Sequence, residues 1–133
     1  MSILDPFKER AVEAGLTEPL VREVIASFYD EVRKDSVLGP VFHGILGDDW
    51  TAHLNRINLF WLTVTRLGHG YQAKNFMPAH VRHPSIHADH LPRWLALFRK
   101  TARSLCPPAA ADVLIDIAER MAESIKIGLE RRR

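Results

Sequence analysis

The chain has 133 residues, 47% of them hydrophobic and 26% charged, with a formal net charge of +2. That length gives one domain with a real core, and the apolar share excludes a disordered chain. The small net charge offers no electrostatic case for nucleic-acid binding, and no apolar run approaches the ~18 residues of a membrane span.

The N-terminus, MSILDPFKER, is charged too early for a secretory leader. The single cysteine, Cys106, excludes an internal disulfide framework, so a reducing, cytoplasmic setting is expected. Residues 1–18 are polar with scattered apolar positions and read as an N-terminal extension with at most a short turn of helix. Thr17 can cap the first substantial helix, with Pro19 tolerated in its first turn. Val21, Val24, Ile25, Phe28 and Val32 then follow a helical stripe to about Lys34, with Tyr29 on its buried side. DSVLGP, with Gly39-Pro40, reads as a break, after which Val41 and Phe42 turn inward ahead of HGILGDD.

Asp48 or Asp49 should cap the next helix, whose apolar positions are Trp50, Leu54, Ile57, Phe60, Trp61 and Val64. His53 lies on the same face, and Gly68 and Gly70 should end the helix. From Tyr71 to His87 no period is sustained and two prolines intervene, Pro78 and Pro84; a loop of that length is usually functional or mobile. A further helix starts near Asp89 to Leu91 with Pro92 in its first turn, and buries Trp94, Leu95, Phe98, Ala102 and Leu105. Pro107-Pro108 separates it from a last helix carrying Val113, Leu114, Ile117, Met121 and Ile125, and Arg131 to Arg133 form a solvated basic tail. The pattern is one all-α domain, residues 1–133, of four substantial helices and one long loop.

Four histidines, His80, His83, His87 and His90, crowd the loop and the start of the helix after it, three, four and three residues apart. On a continuous helix they would share one side, but Pro84 breaks that geometry, so a multi-histidine metal cage is not favoured. Taken singly, His83, His87 and His90 read as exposed loop residues. His80 differs, because Phe76, Met77 and Val81 surround it with apolar surface and a histidine there can turn one ring nitrogen inward. A lone His53 on an apolar face is more often a core or rim residue than a functional group. The same holds for Tyr29 and Trp94, whose polar tips need partners when buried. Together, three polar tips from three helices in one apolar interior are more than a core needs, and suit a bound polar ligand.

The stretches FYDEVRKDSVLGPVF (Phe28 to Phe42), WTAHLNRINLFW (Trp50 to Trp61) and the run from His80 to RWLALF resemble the third group of the truncated haemoglobins, over about residues 20–128. The resemblance implies a shortened globin fold, a two-over-two helical sandwich around a haem b. It also implies His80 as the proximal iron ligand, Tyr29 and Trp94 as the distal hydrogen-bonding pair, and His53 at the distal entrance. Phe28, Phe42, Ile57, Phe60, Trp61 and Phe98 would line the haem, and Arg56 would meet a propionate. The family often carries Gly-x-Pro shortly before the proximal histidine, where this chain has Ala73, Asn75 and Pro78. His83 is therefore the alternative ligand, although the fourteen-residue step from His80 to Trp94 favours His80.

A single histidine ligand leaves one iron position open, and the polarity of the distal side decides what happens there. The expected function is binding of O₂ and related ligands (NO, CO, cyanide or peroxide). NO dioxygenase or peroxidase-like detoxification fits better than transport, with electrons from an external reductase, because no flavin or nicotinamide motif is present. The competing reading is a haem-free helical module whose histidine-rich loop holds zinc or nickel. A third is a plain interaction domain in which Tyr29, His53 and Trp94 are ordinary core polars.

Overall fold

The computed structural model describes residues 6–47, 50–67 and 87–131. Six helices run through them: α1 (Pro6–Glu13), α2 (Glu18–Lys34), α3 (Leu38–Leu46), α4 (Trp50–Val64), α5 (His90–Leu105) and α6 (Pro108–Glu130). No strand occurs among the described residues, in keeping with the all-α expectation. The prolines sit where their missing N–H costs nothing: Pro19 in the first turn of α2, and Pro108 at the start of α6. Thr17 Oγ1 accepts from the Leu20 N–H at 3.3 Å, as its sequence position predicts.

Two boundaries differ from the sequence reading. The stretch taken as a break and turn contains α3. Its start is supplied from outside the helix, because Asp35 Oδ2 accepts from the N–H groups of Val37 (3.0 Å) and Leu38 (2.9 Å). Pro40 then falls within the first turn, where helical N–H groups have no intrahelical partner anyway. Gly39 is needed for a different reason. A Cβ there would lie 2.6 Å from the Arg33 carbonyl oxygen, so only glycine lets α3 fold back this closely on α2. The second difference is the end of α4, expected at Gly68 and Gly70. The chain leaves the helix at Arg66, in a left-handed conformation (φ 64°), with Leu67 N–H bonded to Leu62 O and Arg66 N–H to Thr63 O. This is a Schellman turn made without glycine. Both glycines, and Asp48 and Asp49, one of which was expected to cap α4, lie outside the described residues.

The N-terminal extension is more than a turn. α1 closes on Gly15 (φ 95°), which sends Leu16 N–H back to Ala11 O, and both Ala11 and Leu16 are buried. The helix packs against α6. α2 is the centre of the arrangement: Val21, Val24, Ile25, Phe28, Tyr29 and Val32 are all buried, and α3, α4 and α5 each pack on it. α5 in turn packs along α6, whose buried stripe runs from Ala110 to Leu129. The result is two helix pairs, α2 with α4 over α5 with α6. No helix among the described residues is long and apolar enough to cross a membrane.

One ion pair joins the two layers at their edge. Arg93 Nε on α5 donates to Asp35 Oδ2 at 2.6 Å. The Arg93 guanidinium, helped by the Leu38 and Val37 N–H groups, holds the Asp35 carboxyl down at about 2, against an ordinary 3.8. A carboxyl depressed in the folded state stabilises above its unfolded pKa, and that contribution is lost as pH falls through the folded value. The stability advantage of wild type over Asp35→Asn should therefore be constant above pH ~4 and shrink as pH falls towards ~2, read from denaturant midpoints across that range. A difference independent of pH would contradict the pairing.

Candidate functional site

Between α2, α3, α4 and α5 the apolar faces converge on a nest of aromatic rings with three polar tips. Phe28, fully buried, is its hub: its ring meets Tyr29 (4.8 Å between centroids), Phe98 (5.1 Å) and Trp94 (5.4 Å), each edge to face. Phe98 is stacked on one side by Trp94 (5.8 Å) and also stacks with Trp61 of α4 (5.1 Å). Such separations are those at which aromatic pairs add to the simple burial of area. Ile57, Phe60 and Val64 on α4, and Trp94 and Leu97 on α5, stay only half-buried while packing on this nest.

Tyr29 carries the first polar tip. Its neighbours at positions 25, 28 and 32 on α2 are core, so the helical period brings its phenol inward, and it is 6% exposed. The Trp94 indole lies within reach of its hydroxyl and acts on it as a donor would. Indole N–H can only donate, so the Tyr29 oxygen is the acceptor and its own proton remains free to donate elsewhere. Burial pushes the Tyr29 phenol well above its ordinary range, and the Trp94 bond offsets that only in part. The group is a neutral donor at any working pH.

His53 supplies the third tip. Its ring lies 6.1 Å from that of Tyr29 and 6.5 Å from that of Phe42, in both cases edge to face. The first turn of α4, which positions it, is fastened twice: Trp50 stacks on Phe42 (6.2 Å), and the Arg33 guanidinium lies 4.5 Å over the Trp50 ring. Phe42 completes the circuit with a 5.9 Å approach to Tyr29, a contact that depends on the close turn at Gly39.

A crystal structure of a group III truncated haemoglobin from Campylobacter jejuni superposes on this chain with a TM-score of 0.81, covering 87% of this chain and 93% of that one at 23% identity. In sequence, a group 3 truncated haemoglobin of the same organism is 26% identical over 110 residues, 80% of this chain and 86% of the relative. No family model matches. The chain resembles the group III truncated haemoglobins and has their fold.

Within that truncated-globin frame, Tyr29, His53 and Trp94 are drawn together from α2, α4 and α5, with Phe28, Phe42, Trp61 and Phe98 around them. Ile57 and Phe60 are half-buried on α4, and Arg56 is exposed beside them. His80 and His83 lie outside the described residues, as does the surrounding loop. His87 is exposed, and its N–H donates to Nδ1 of His90 at 3.1 Å, so that ring nitrogen is already engaged. Burial and the neighbouring His87 depress the His90 imidazole. Among the described residues, no group of three or more histidine, cysteine, aspartate or glutamate side chains could hold a metal ion.

Sequence reasoning missed the Asp35–Arg93 pair. The two residues lie 58 positions apart, and the only hint was an aspartate in the stretch read as a break.

The burial of Tyr29 has a direct signature. The chain has two tyrosines, so Tyr71→Phe isolates Tyr29. Its ultraviolet titration should show no phenolate near pH ~10, where a free phenol ionises. A midpoint near that value would mean a solvated hydroxyl and would remove it from the interior.

Proposed function

We propose that this protein holds a haem b between α4 and α5 and binds O₂ and related diatomic ligands on its distal side. The observation that carries the reading is the buried Tyr29 phenol inside the aromatic nest, with Phe28 meeting both its ring and that of Trp94 and the indole within reach of its hydroxyl. The fit is chemical: a flat apolar group needs ring and aliphatic walls, which Phe28, Phe42, Ile57, Phe60, Trp61 and Phe98 offer. A polar diatomic needs a donor that burial keeps protonated. His80 is the proximal ligand in this reading and His83 its alternative, with Arg56 at the exposed edge for a propionate. When bound, the haem supplies a metal centre with one open position for a diatomic ligand.

The residues of the chain do the rest. Tyr29 donates its O–H to the ligand while Trp94 N–H holds the phenol oxygen, so the two act in series. A donor chain of this kind polarises each member, which strengthens the terminal bond. One hydrogen bond to an acceptor with partial negative charge is worth ~1.5–3 kcal/mol, or roughly ten- to a hundred-fold in ligand dissociation. Trp94 adds a smaller factor, acting through Tyr29. His53, whose ring lies 6.1 Å from that of Tyr29, exchanges a proton with the site in this reading. Tight retention of O₂ and a proton source suit NO or peroxide detoxification, with an external reductase, better than transport. NO, CO, cyanide and peroxide are the other ligands expected.

The spectrum of haemin-reconstituted protein, ferric, reduced and CO-treated, tests the cofactor. A stoichiometric Soret band that shifts on reduction and on CO is expected. No uptake would end this reading and leave the histidine-rich loop to be examined for zinc or nickel by elemental analysis. His80→Ala should lose the histidine-ligated spectrum; its retention would move the ligand to His83.

Stopped-flow O₂ dissociation tests the distal order. Tyr29→Phe should speed release by roughly ten- to a hundred-fold. Trp94→Phe should speed it less, and equal or larger loss in Trp94→Phe would show that the indole, not the phenol, meets the ligand.

A further inference from the structure

We propose that the Asp35–Arg93 pair is a positioning device for the ring cluster around Tyr29: by tying the first turn of α5 to the α2–α3 corner, it holds the Trp94 indole in its place against Phe28 and beside Tyr29.

Arg93 is the residue before Trp94, and Asp35 closes the helix that carries Tyr29. The pair therefore spans the two elements whose relative placement sets how closely Trp94 approaches Tyr29. It is built unlike the other ion pairs between helices among the described residues. Arg99–Glu119, Arg103–Asp112 and Arg10–Asp116 have both members open to solvent, at 36% exposure or more. The Asp35 side chain is 10% exposed, and its Oδ2 gathers Arg93 Nε at 2.6 Å together with the Val37 and Leu38 N–H groups. The same guanidinium donates a second bond, to Ser36 Oγ at 3.3 Å, so the fork is held at two points on the corner. A planar guanidinium held this way fixes direction as well as distance, which a lysine ammonium does not.

Among the described residues, the other polar bonds at the start of α5 are local ones within residues 87–91. Asp89 makes no side-chain cap, and Pro92 brings no N–H. Trp94 itself rests against Phe28 and Phe98 through ring contacts, which tolerate sliding by a few tenths of an ångström. A hydrogen bond is less forgiving of angle and distance. The ion pair supplies the constraint the rings lack.

The consequence for ligand release rests on the haem reading of the site; the positioning of the indole does not, and it has its own readout. In ¹⁵N-labelled protein the chain's three tryptophans give three indole N–H resonances, and Trp94→Phe assigns the one of interest. Arg93→Met keeps the aliphatic stem and removes the fork. In that variant, Trp94 indole hydrogen exchange should speed up at least tenfold beyond any change in core amides, with an upfield shift of the resonance. Arg93→Lys should recover part of the protection. Arg99→Met, which removes an exposed pair on the same helix, should leave Trp94 unchanged. If Arg93→Met does not fold, Asp35→Asn keeps an acceptor for Val37 and Leu38 while removing the charge, and should show the same exchange change. In haem-loaded protein, Arg93→Met should also speed O₂ release, and add nothing further in a Trp94→Phe background. A variant that loses stability but keeps Trp94 protected would overturn the proposal and leave the pair a fold contact only. A chain that takes up no haem would end the functional reading while the indole exchange still decides this one.

Discussion

The hydroxyl of Tyr29 is the constraint on which the rest of the interior depends. A phenol that is 6% exposed has given up water, and a buried polar group left without a partner costs on the order of 1–3 kcal/mol. The Trp94 indole, within reach of the hydroxyl, has one proton to offer it. That approach depends on where α5 lies along α2, and Phe28 fills the space between the two helices by meeting both rings. An apolar residue at position 29 would have allowed a looser packing of the same elements. The tyrosine makes the register of one helix against the other matter.

The α2–α3 corner has a comparable role on the other flank. Gly39 lets the backbone of α3 approach the Arg33 carbonyl, and that approach delivers Phe42 to Tyr29 and to Trp50. Trp50 is covered from outside by Arg33, which belongs to the same last turn of α2. His53 follows one turn later on α4. A short helix with a single close contact thus sets the position of a residue on the next helix, and does so through rings rather than through hydrogen bonds.

Much of this was legible in the sequence, and the reasons differ by element. α2, α4, α5 and α6 announce themselves because their apolar residues recur at three and four, and burial of a face is what that recurrence encodes. α3 did not, because Gly39-Pro40 is ordinarily punctuation. Its start is supplied by the Asp35 carboxylate, a tertiary and local bond that no period reports. The end of α4 was misplaced for a similar reason: glycine is the usual residue for a left-handed exit, and here Arg66 takes it. In the site, Tyr29, His53 and Trp94 could be picked out as polar tips on apolar faces. The approach of Trp94 to Tyr29 could not, since it depends on how two helices carrying residues 65 positions apart are placed. The family resemblance implied a distal pair, not its internal geometry.

That geometry gives the site a direction. Tyr29 can accept and donate, but the indole within its reach can only donate, so on the proposed reading what the phenol has to offer the interior is a proton. Burial reinforces this, because a phenolate there would be desolvated and the group stays neutral. In the proposed reading the site would therefore favour a small guest with acceptor character over one that must itself donate. A tyrosine whose oxygen was free would present lone pairs as readily as a proton and would discriminate less between the two. The preference is written in the pairing of the two side chains, and it holds only as long as the indole stays in place.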